Sequence, residues 1–574
     1  PSETLPYAGS DRAAGAGYPK DAKCMARCIA LLKAFEGAPA PIPMYSPAKL
    51  EIDEYRNRMY PPSESVAAYA RQLAAVKTET LAALGAVGSG AADAGDRVIK
   101  ACAKIDKMHS AQIAKLPPII FIRRPMMRVN AIAPFQYSTV KSSSICVFDP
   151  SRPDQPVGVV FSKPELSIYD MSLSYDAKTV YFSAKSRGGG HIYAIGVDGK
   201  GLRQLTTGAH DNISPQEMPD GRIMFVSTRL GTWVQCQGRK SSNLFSMKAD
   251  GTDVRHLSAN IDSDHTPRVM NDGKVLFTRW DYGIEKNVFA RHALWAMNPD
   301  GTSFQLVFGN TIEDPAAFWK GRAIPGRPEI VCVLGPHHSY QAGMIGIVTT
   351  HFGAEASRGK GFRWVTRELP VYGDRSYPNG FQDPFPINPK QFLVSYGGDG
   401  GPNRLYMLDD CDNRKCIYED AKLGCWYPML LRPRKAPPVI PPQSKETAFA
   451  FKDAEALNRN PDGESIGTLF VQDVYQGISA HVKRGQAKSL MVMEQVQKSR
   501  CMSGGEAWGH TPIIGRGTVH VRRVLGIVPV EKDGSAHFTA PALRNISLNL
   551  LDADGKLLMR MGSDMHIMPG ERRS

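Results

Sequence analysis

The chain has 574 residues, which is too long for one hydrophobic core, because single cores stop growing at about 250–300 residues. Its 42% of hydrophobic and 22% of charged residues exclude a disordered protein, and the lack of any run of about 18 apolar residues predicts no membrane span. The net charge of +14 is scattered along the chain, whereas a nucleic-acid-binding protein concentrates basic residues on one element, so nucleic acid is not a predicted partner.

Residues 1–117 are predicted to form a helical region with loops rich in proline, glycine and alanine. One helix is expected after Ser63, where apolar residues recur at helical spacing up to Leu84. A second helix has an apolar face formed by Val98, Cys102, Ile105 and Met108. We expect these helices to pack against the rim of the domain that follows.

Three segments in the middle of the chain repeat one pattern, at residues 190–206, 242–258 and 292–308. Each consists of an alternating strand, an Asp-Gly turn and a second strand. Asp-Gly between alternating apolar residues is a strong hairpin signal, since both turn positions are expected to need positive φ. The pattern therefore predicts three hairpins of the same kind.

A further strand precedes each hairpin, beginning near Asp176, Asp220 and Asp272 and, more loosely, near Asn388. The apolar run at residues 223–226 does not alternate, as expected for a strand buried on both faces. Four strands per unit, repeating at roughly 45–55 residues, are typical of β-propeller blades of the WD-repeat-like kind.

Six blades are predicted within residues 118–432, and five or seven blades are the alternatives. The fifth blade is irregular, because it carries an insertion around residues 351–363 and lacks the Asp-Gly turn. The predicted blades lie near residues 118–166, 167–206, 211–258, 262–309, 312–370 and 376–420.

After the propeller, residues 433–445 are predicted to form a proline-rich linker and residues 446–574 a β-rich domain. Two hairpins are expected in this domain, turning at Asp533-Gly534 and at Asp554-Gly555. They favour a small antiparallel domain of the sandwich kind. The predicted fold class is thus mainly β: a six-bladed propeller with an N-terminal helical region and a C-terminal antiparallel domain.

One string in the C-terminal part, Gly463-Glu-Ser465-Ile-Gly467, matches the G-x-S-x-G nucleophile elbow. The elbow needs a strand before the serine and a helix after it. Here a polar run precedes Ser465 and a strand is predicted to follow it, so we interpret Ser465 as a loop residue and not as a nucleophile.

The ten cysteines show no paired C-x-x-C spacing that would indicate a structural zinc site. Cys411 and Cys416 flank a polar turn, and one reading is a hairpin disulfide, which favours an oxidising compartment. The other reading, a buried free thiol, is preferred for the following cysteines: Cys102, Cys146, Cys332 and Cys501.

Five histidines are considered for a site. His337 and His338 follow an apolar strand and are placed to face the propeller mouth. His265 begins the fourth blade, and His510 and His566 lie in the C-terminal domain. No H-E-x-x-H or comparable pair occurs, so zinc stays an open cofactor and a single histidine is more often structural. We take His337, His338 and His566 as the candidate pocket residues.

Several segments together resemble the α subunit of hydrazine synthase and its relatives. They are residues 220–229, 263–280, 294–302 and 528–538, with Met568-Pro-Gly-Glu-Arg near the end. The blade motifs are also similar to TolB-type propellers, whereas the segment from Gly517 to Arg573 is more specific. The resemblance covers residues 118–574.

The resemblance implies an extracytoplasmic redox protein, in the periplasm or an equivalent compartment, with other redox subunits as partners. Members of the family carry a c-type heme motif, C-x-x-C-H, shortly after the Pro-Gly-Glu turn. No such motif occurs up to Ser574, so we expect the sequence to be a fragment that binds no heme covalently, with heme c attached beyond Ser574. In the founding member the reaction combines nitric oxide and ammonium into hydrazine.

Two other classes of function stay open, so the sequence does not decide whether the protein is an enzyme. The first is a TolB-like binding module that recognises a protein or a glycan through the propeller mouth without heme, and the second is a scaffold subunit. We hypothesise that function lies in the seam between the mouth and the C-terminal β domain, with His337 and His338 on its wall. In the rival arrangement the β domain docks on the side of the propeller.

Overall fold

The structure is a computed structural model that describes a few positions between residues 71 and 82 and most of the chain from residue 93 onward. The described ranges are 93–127, 137–186, 189–234, 239–283, 288–312, 315–337, 340–350, 353–354, 361–366, 380–398, 401–410, 412–444, 465–478, 481–499 and 521–574. These residues are mainly β, which confirms the predicted class. None of their helices has the length and apolar character that crossing a membrane requires.

The second predicted helix is present as α1 (Ala94–Ile113), whereas most of the helix expected after Ser63 lies outside the described residues. The Asp106 carboxylate of α1 pairs with the ammonium of Lys415 at 2.6 Å. The buried His109 lies 3.8 Å from the Asp409 carboxylate. The helix therefore packs against the last repeat unit, as predicted.

Within the described ranges, twenty-four strands precede residue 431. The first twelve are β1 (Ile119–Arg124), β2 (Ser144–Phe148), β3 (Gly158–Ser162), β4 (Ser167–Leu173), β5 (Thr179–Ser186), β6 (Gly189–Gly196), β7 (Arg203–Gln204), β8 (Asn212–Glu217), β9 (Ile223–Ser227), β10 (Asn243–Met247), β11 (Arg255–His256) and β12 (Ser263–Val269). The next twelve are β13 (Val275–Gly283), β14 (Val288–Met297), β15 (Gln305–Phe308), β16 (Ala317–Ala323), β17 (Glu329–Gly335), β18 (Met344–Thr349), β19 (Phe362–Trp364), β20 (Gln382–Asn388), β21 (Gln391–Tyr396), β22 (Arg404–Asp409), β23 (Arg414–Tyr418) and β24 (Gly424–Leu430).

These strands form six antiparallel units of four. Strands β4–β7, β8–β11 and β20–β23 are separate sheets, and β24 joins β1–β3 as the fourth strand of the first unit. The units β12–β15 and β16–β19 are linked by a parallel bridge between His292 and Ala317, so they form one eight-stranded sheet.

The first strands of the units, called the inner strands, are β24, β4, β8, β12, β16 and β20. Each of them contacts the next, and β24 contacts β20 on one side and β4 on the other. Their residues are largely buried, as in β4 and β24, where every residue is buried. Contacts between inner strands therefore connect each unit with the next one.

The Asp-Gly turns differ from the predicted geometry in one respect. Gly221, Gly251, Gly273 and Gly301 have φ between 83° and 91°, but the preceding aspartates do not have positive φ. In each turn the glycine N–H donates to the carbonyl three residues earlier, at 2.9 Å for Gly251. This is a type I turn followed by a left-handed glycine, in which glycine alone needs positive φ.

Seven strands form the C-terminal part: β25 (Ile466–Val471), β26 (Ser489–Gln495), β27 (Arg522–Pro529), β28 (Ala536–Pro541), β29 (Ile546–Leu551), β30 (Leu557–Arg560) and β31 (Arg572–Arg573). One sheet has the order β28-β25-β31 and the other β27-β26-β29-β30. The predicted hairpin at Asp554-Gly555 is confirmed, because β29 pairs with β30. The predicted hairpin at Asp533-Gly534 is wrong: β27 pairs with β26 and β28 pairs with β25, so the chain changes sheet at this turn.

Residues 433–444, called the crossing segment, are bonded to the repeat units. The Arg434 N–H donates to the Tyr175 carbonyl at 2.7 Å. Farther along, the Gln443 and Ser444 N–H groups donate to the Asp300 carboxylate at 2.6 and 3.0 Å. The predicted linker is thus fixed to the second and fourth units and is not a free spacer.

Candidate functional site

A group of histidine and tryptophan side chains occupies the boundary between the fourth and fifth units. His265 lies on β12, Trp280 on β13, His292 on β14 and Trp319 on β16, and His337 follows β17. Trp280 and His292 are direct cross-strand partners. The bridge from His292 to β16 brings Trp319 and then His337 to the same place. The three histidines are called the histidine cluster.

The histidine cluster is closely packed. His292 Nε2 lies 2.9 Å from His337 Nδ1, so one of these nitrogens donates a hydrogen bond to the other. The His292 ring stacks on Trp280 at 5.7 Å between ring centroids and lies 4.0 Å from the Trp319 centroid. His265, His292 and His337 are at most 3% exposed. The cluster is therefore held by aromatic contacts and sealed from solvent.

His265 is the unusual member of the histidine cluster. Neither of its ring nitrogens has a hydrogen-bond partner among the described residues, and the same holds for the indole N–H groups of Trp280 and Trp319. Burial lowers the pKa of His265 to about 3, so the ring is neutral at pH 7. Buried polar atoms without partners in one place are typical of a space for water or a small polar molecule.

A metal ion is not supported by the arrangement of these side chains. Over the described ranges, no group of three or more His, Cys, Asp or Glu side chains could hold a metal ion. The zinc that the sequence left open stays an untested prediction. A neutral imidazole such as that of His265 can instead accept, donate or relay a proton.

His566, the third candidate residue, is placed apart from the histidine cluster. It is fully buried, its Nε2 N–H donates to the Gly301 carbonyl at 3.2 Å, and its ring packs on Phe304 at 4.4 Å. Burial, reinforced by the positive charge of Arg279, lowers its pKa well below the usual range. His566 thus joins the C-terminal part to the fourth unit. His338 and His510 lie outside the described residues.

The candidate residues His265, His337 and His566 do not fit the iron of a heme. An axial ligand presents a ring nitrogen toward an open face of the porphyrin. His337 and His566 are at most 3% exposed, and their rings pack on Trp280 at 5.7 Å and on Phe304 at 4.4 Å. His265 has uncommitted nitrogens, but it is fully buried with Trp319 beside it at 5.9 Å between ring centroids.

Among the described residues, the cysteines contribute no pair to the site. Cys416 has a free thiol, so the predicted hairpin disulfide is not formed, and Cys411 lies outside the described residues. Cys146 and Cys332 are buried free thiols, as predicted. Burial raises the pKa of both thiols, which makes them unreactive.

A second polar cluster lines the inner strands. One residue on each of five inner strands has φ between 48° and 57°, at a bulge in its ladder, and these residues are Ser214, Thr266, Lys320, Asp383 and Tyr427. A bulge redirects side chains out of the regular alternation. The Lys320 ammonium pairs with the Asp383 carboxylate at 2.6 Å.

Asp170, the other buried carboxylate of this region, is stabilised by hydrogen bonds. Asp170 accepts from the Ser214 hydroxyl at 2.8 Å and its N–H at 2.9 Å, and also from the Ser183 hydroxyl. Burial raises the pKa of Asp170 and lowers that of Lys320. The ionised form of Asp170 therefore depends on its hydrogen bonds, and the ionised form of Lys320 depends on its ion pair.

The C-terminal part packs on the flank of the fourth unit. The fully buried Arg279 of β13 ion-pairs with Asp281 at 3.2 Å and Asp264 at 3.4 Å, and donates to Asn545 Oδ1 at 2.8 Å. Asn545 in turn donates to Asp564 at 2.8 Å. One apolar cluster also runs from Phe277 of the fourth unit into the C-terminal sheets.

Residues 563–571 follow this flank beside β15. The Glu571 carboxylate accepts from the Ser303 N–H at 2.8 Å, before β15, and Ser563 bonds to Asn310 at 2.5 Å, in the loop that leads to β16. The C-terminal segment thus contacts the fourth unit both before and after β15. At Asn310 the segment also reaches a loop that leads into an inner strand.

These features define a multi-unit β protein with a C-terminal part fixed to its flank, and part of the chain is similar to a known family. Residues 485–574 match the family model described as the hydrazine synthase alpha subunit middle domain, which confirms the resemblance found in the sequence. Among curated proteins, no sequence match was found.

Among solved structures, Kuenenia stuttgartiensis hydrazine synthase is similar at 18% identity and a TM-score of 0.65, covering 81% of this chain and 70% of that chain. TolB from Acinetobacter baumannii is similar at 15% identity and a TM-score of 0.38, covering 58% of this chain and 72% of that chain. At this level of identity the first likeness establishes the fold alone.

Sequence reasoning singled out His265 and His337 but missed His292, Trp280 and Trp319, which join them. A signal was present, because His292 opens one of the repeated hairpins and Trp280 ends the strand before it. Reading the strand ends of two successive repeats together would have placed these aromatic residues side by side.

Proposed function

We propose that the chain is part of a hydrazine-synthase-alpha-like redox protein of the periplasm or an equivalent compartment, which bears heme c in its full-length form. The observation that carries the proposal is the family match of residues 485–574. It is supported by the fold likeness that extends over 81% of the chain.

The architecture that goes with this proposal is a six-bladed propeller over residues 118–432 followed by a sandwich within residues 446–574. Six four-stranded units, the cyclic order of the inner strands and the pairing of β24 with β1 support six blades. In that architecture a strand from the end of the propeller completes the first blade. Two C-terminal sheets that share one apolar cluster support the sandwich.

Within the proposal this part of the chain acts as a platform and not as the place where heme is bound. Heme c, attached beyond Ser574, would supply the redox chemistry. The Arg279–Asn545–Asp564 chain of hydrogen bonds and His566 fix the last strands on the fourth unit, which gives any group attached after Ser574 a defined starting position. Because the family is that of an alpha subunit, other redox subunits are the proposed partners.

Covalent heme staining and pyridine hemochrome spectra test the proposal. The reading frame continued beyond Ser574 and the 574-residue chain are both produced in cells that mature c-type cytochromes. We expect covalent heme in the longer protein and none in the shorter one, since thioether bonds need the C-x-x-C-H cysteines. A longer protein without heme, or a stop codon directly after Ser574, would overturn the proposal and favour the TolB-like binding module.

A further inference from the structure

Three arginines converge next to the inner strands from three different parts of the chain. Arg268 on β12 and Arg322 on β16 occupy the same position, two residues after the left-handed residue of their strand. Strands β12 and β16 are in contact, so equivalent positions on them are neighbours. Arg434 is brought to this region by the crossing segment, whose backbone is bonded to Tyr175 after β4.

None of the three guanidinium groups is paired with a carboxylate among the described residues. Arg268 donates to the Pro267 carbonyl at 2.8 Å, and Arg322 lies over the Phe385 ring at 5.3 Å. Arg434 donates to the Leu173 carbonyl at 2.6 Å, and its Nε is buried without a partner. These contacts leave most of the fifteen N–H donors of three arginines unused.

The nearest carboxylates are committed elsewhere. Asp383 is paired with Lys320 at 2.6 Å, and Asp170 accepts hydrogen bonds from Ser183 and Ser214. Glu217 accepts from the Tyr175 N–H at 2.6 Å. Asp383 and Glu217 attract Arg322 and Arg434 only from a distance. Among the described residues, the three guanidinium groups therefore have no direct ion pair with a carboxylate.

The charges are also close enough to act on one another. Burial lowers the pKa of Arg322 well below the usual range, and the positive charges of Arg268 and Arg434 lower it further. Burial likewise lowers the pKa of Arg434, with Arg268 among the charges that contribute. Grouping like charges in a poorly solvated region is unfavourable unless an anion compensates them.

We propose that Arg268, Arg322 and Arg434 bind a doubly charged tetrahedral oxyanion, phosphate or the phosphate of a larger monoester, beside the inner strands. A guanidinium group offers paired N–H donors that match two oxygens of such an anion. Three groups on three separate elements can surround it. Because Arg434 belongs to the crossing segment, the bound anion also holds that segment against the repeat units.

Binding of inorganic phosphate to the 574-residue chain tests the site, by isothermal titration calorimetry and by thermal unfolding at constant ionic strength. We expect phosphate to raise the midpoint temperature, and chloride at equal ionic strength to have no such effect. Arg322→Gln and Arg268→Gln should each weaken phosphate binding about tenfold or more, as expected for the loss of hydrogen bonds to a charged group. Arg152→Gln is the matched control, because the Arg152 side chain is 70% exposed, and should leave binding unchanged.

A second readout separates an anion site from a structural role. Without phosphate, Arg322→Gln should unfold at the same temperature as the unsubstituted chain or higher, since it relieves repulsion; a structural arginine would give the opposite. Arg322→Lys keeps the charge and should retain part of the binding. Phosphate acting no more strongly than chloride, or Arg322→Gln binding undiminished, would overturn the proposal. None of these measurements involves heme, so they are independent of the proposed function.

Discussion

At the scale of single residues, the turn glycines are under two distinct constraints. Gly251 and Gly221 have nearly the same φ, 91° and 83°, so any side chain at either position is strained. A Cβ on Gly251 would also overlap the carbonyl oxygen of Leu205 in the preceding unit, whereas a Cβ on Gly221 would meet nothing within 4 Å. Comparing substitutions at these two positions therefore separates the effect of backbone strain from the effect of the contact between units.

We expect Gly221→Ala and Gly251→Ala each to lower the free energy of unfolding by about 1 kcal/mol or more through strain. Gly251→Ala should lower the free energy of unfolding by at least about 1 kcal/mol more than Gly221→Ala does, because the two units must also move apart. Urea denaturation of both variants measures the difference. Equal losses would show that Gly251 is not needed for the contact between units.

The second residue-scale prediction concerns buried histidines and pH. The folded protein holds the pKa of His265 at about 3, whereas an unfolded chain has a histidine pKa near 6.5. Between these values the unfolded state binds a proton that the folded state does not. Stability is therefore lost as the pH falls below about 6.5, by up to about 1.4 kcal/mol per pH unit for this histidine.

Urea denaturation at pH 7, 6 and 5 should show this loss, and His265→Gln should reduce its slope. His256, whose pKa burial lowers to about 4, contributes in the same direction, so part of the dependence of stability on pH remains in His265→Gln. His481→Gln serves as the control, because His481 is exposed. An unchanged slope in His265→Gln would contradict the burial of a neutral ring.

At the scale of elements, the attachment of the end of the crossing segment depends on the turn at Asp300. Asp300 has the same local role as Asp250, since each carboxylate accepts from the N–H and hydroxyl of the threonine two residues later. Asp300 additionally accepts from the Gln443 and Ser444 N–H groups. The two positions thus form a natural matched pair for testing how the segment is attached.

Asp300→Ala should release the end of the crossing segment, and Asp250→Ala should not. Limited proteolysis with a non-specific protease is expected to cut within residues 433–444 several times faster in Asp300→Ala than in Asp250→Ala. The reason is that cleavage requires local opening, and the two lost hydrogen bonds to a charged acceptor raise the population of the open form. Equal cleavage rates would mean that the segment is held by its other contacts.

At the scale of the whole molecule, a single buried arginine joins the fourth unit to the C-terminal part. Arg279 compensates Asp264 and Asp281 within its unit and bonds to Asn545, 266 residues away in sequence. Removing it leaves two buried carboxylates uncompensated. We expect Arg279→Met to lower the free energy of unfolding by about 3–5 kcal/mol.

A double-mutant cycle with Asn545→Ala measures the part of that loss which belongs to the interface. We expect a coupling energy of about 0.5–3 kcal/mol, because the two side chains share one hydrogen-bond network. Arg404→Met is the control, since the Arg404–Glu419 pair is exposed and should contribute at most about 1 kcal/mol. Strictly additive losses would mean that the two parts unfold independently of this contact.

Local patterns explain what the sequence predicted correctly. The repeat of strands and Asp-Gly turns, the hairpin at Asp554-Gly555 and the helix α1 depend on neighbours within about ten to twenty residues, so composition and spacing specify them. The same reasoning failed at Asp533-Gly534, where β26 and β25 compete with the local pairing and separate β27 from β28. It also overestimated the number of positive φ angles in each turn, because a glycine after a type I turn satisfies the same sequence.

The sequence by itself determined a mainly β chain built from repeated four-stranded units, with a C-terminal segment similar to the hydrazine synthase alpha subunit middle domain. Only the tertiary structure decided which side chains meet: His292 with His337, Arg279 with Asn545, and the crossing segment with Asp300. These contacts join residues 45 to 266 positions apart. Their partners are chosen by how whole sheets pack, and the spacing of residues along the chain does not encode that choice.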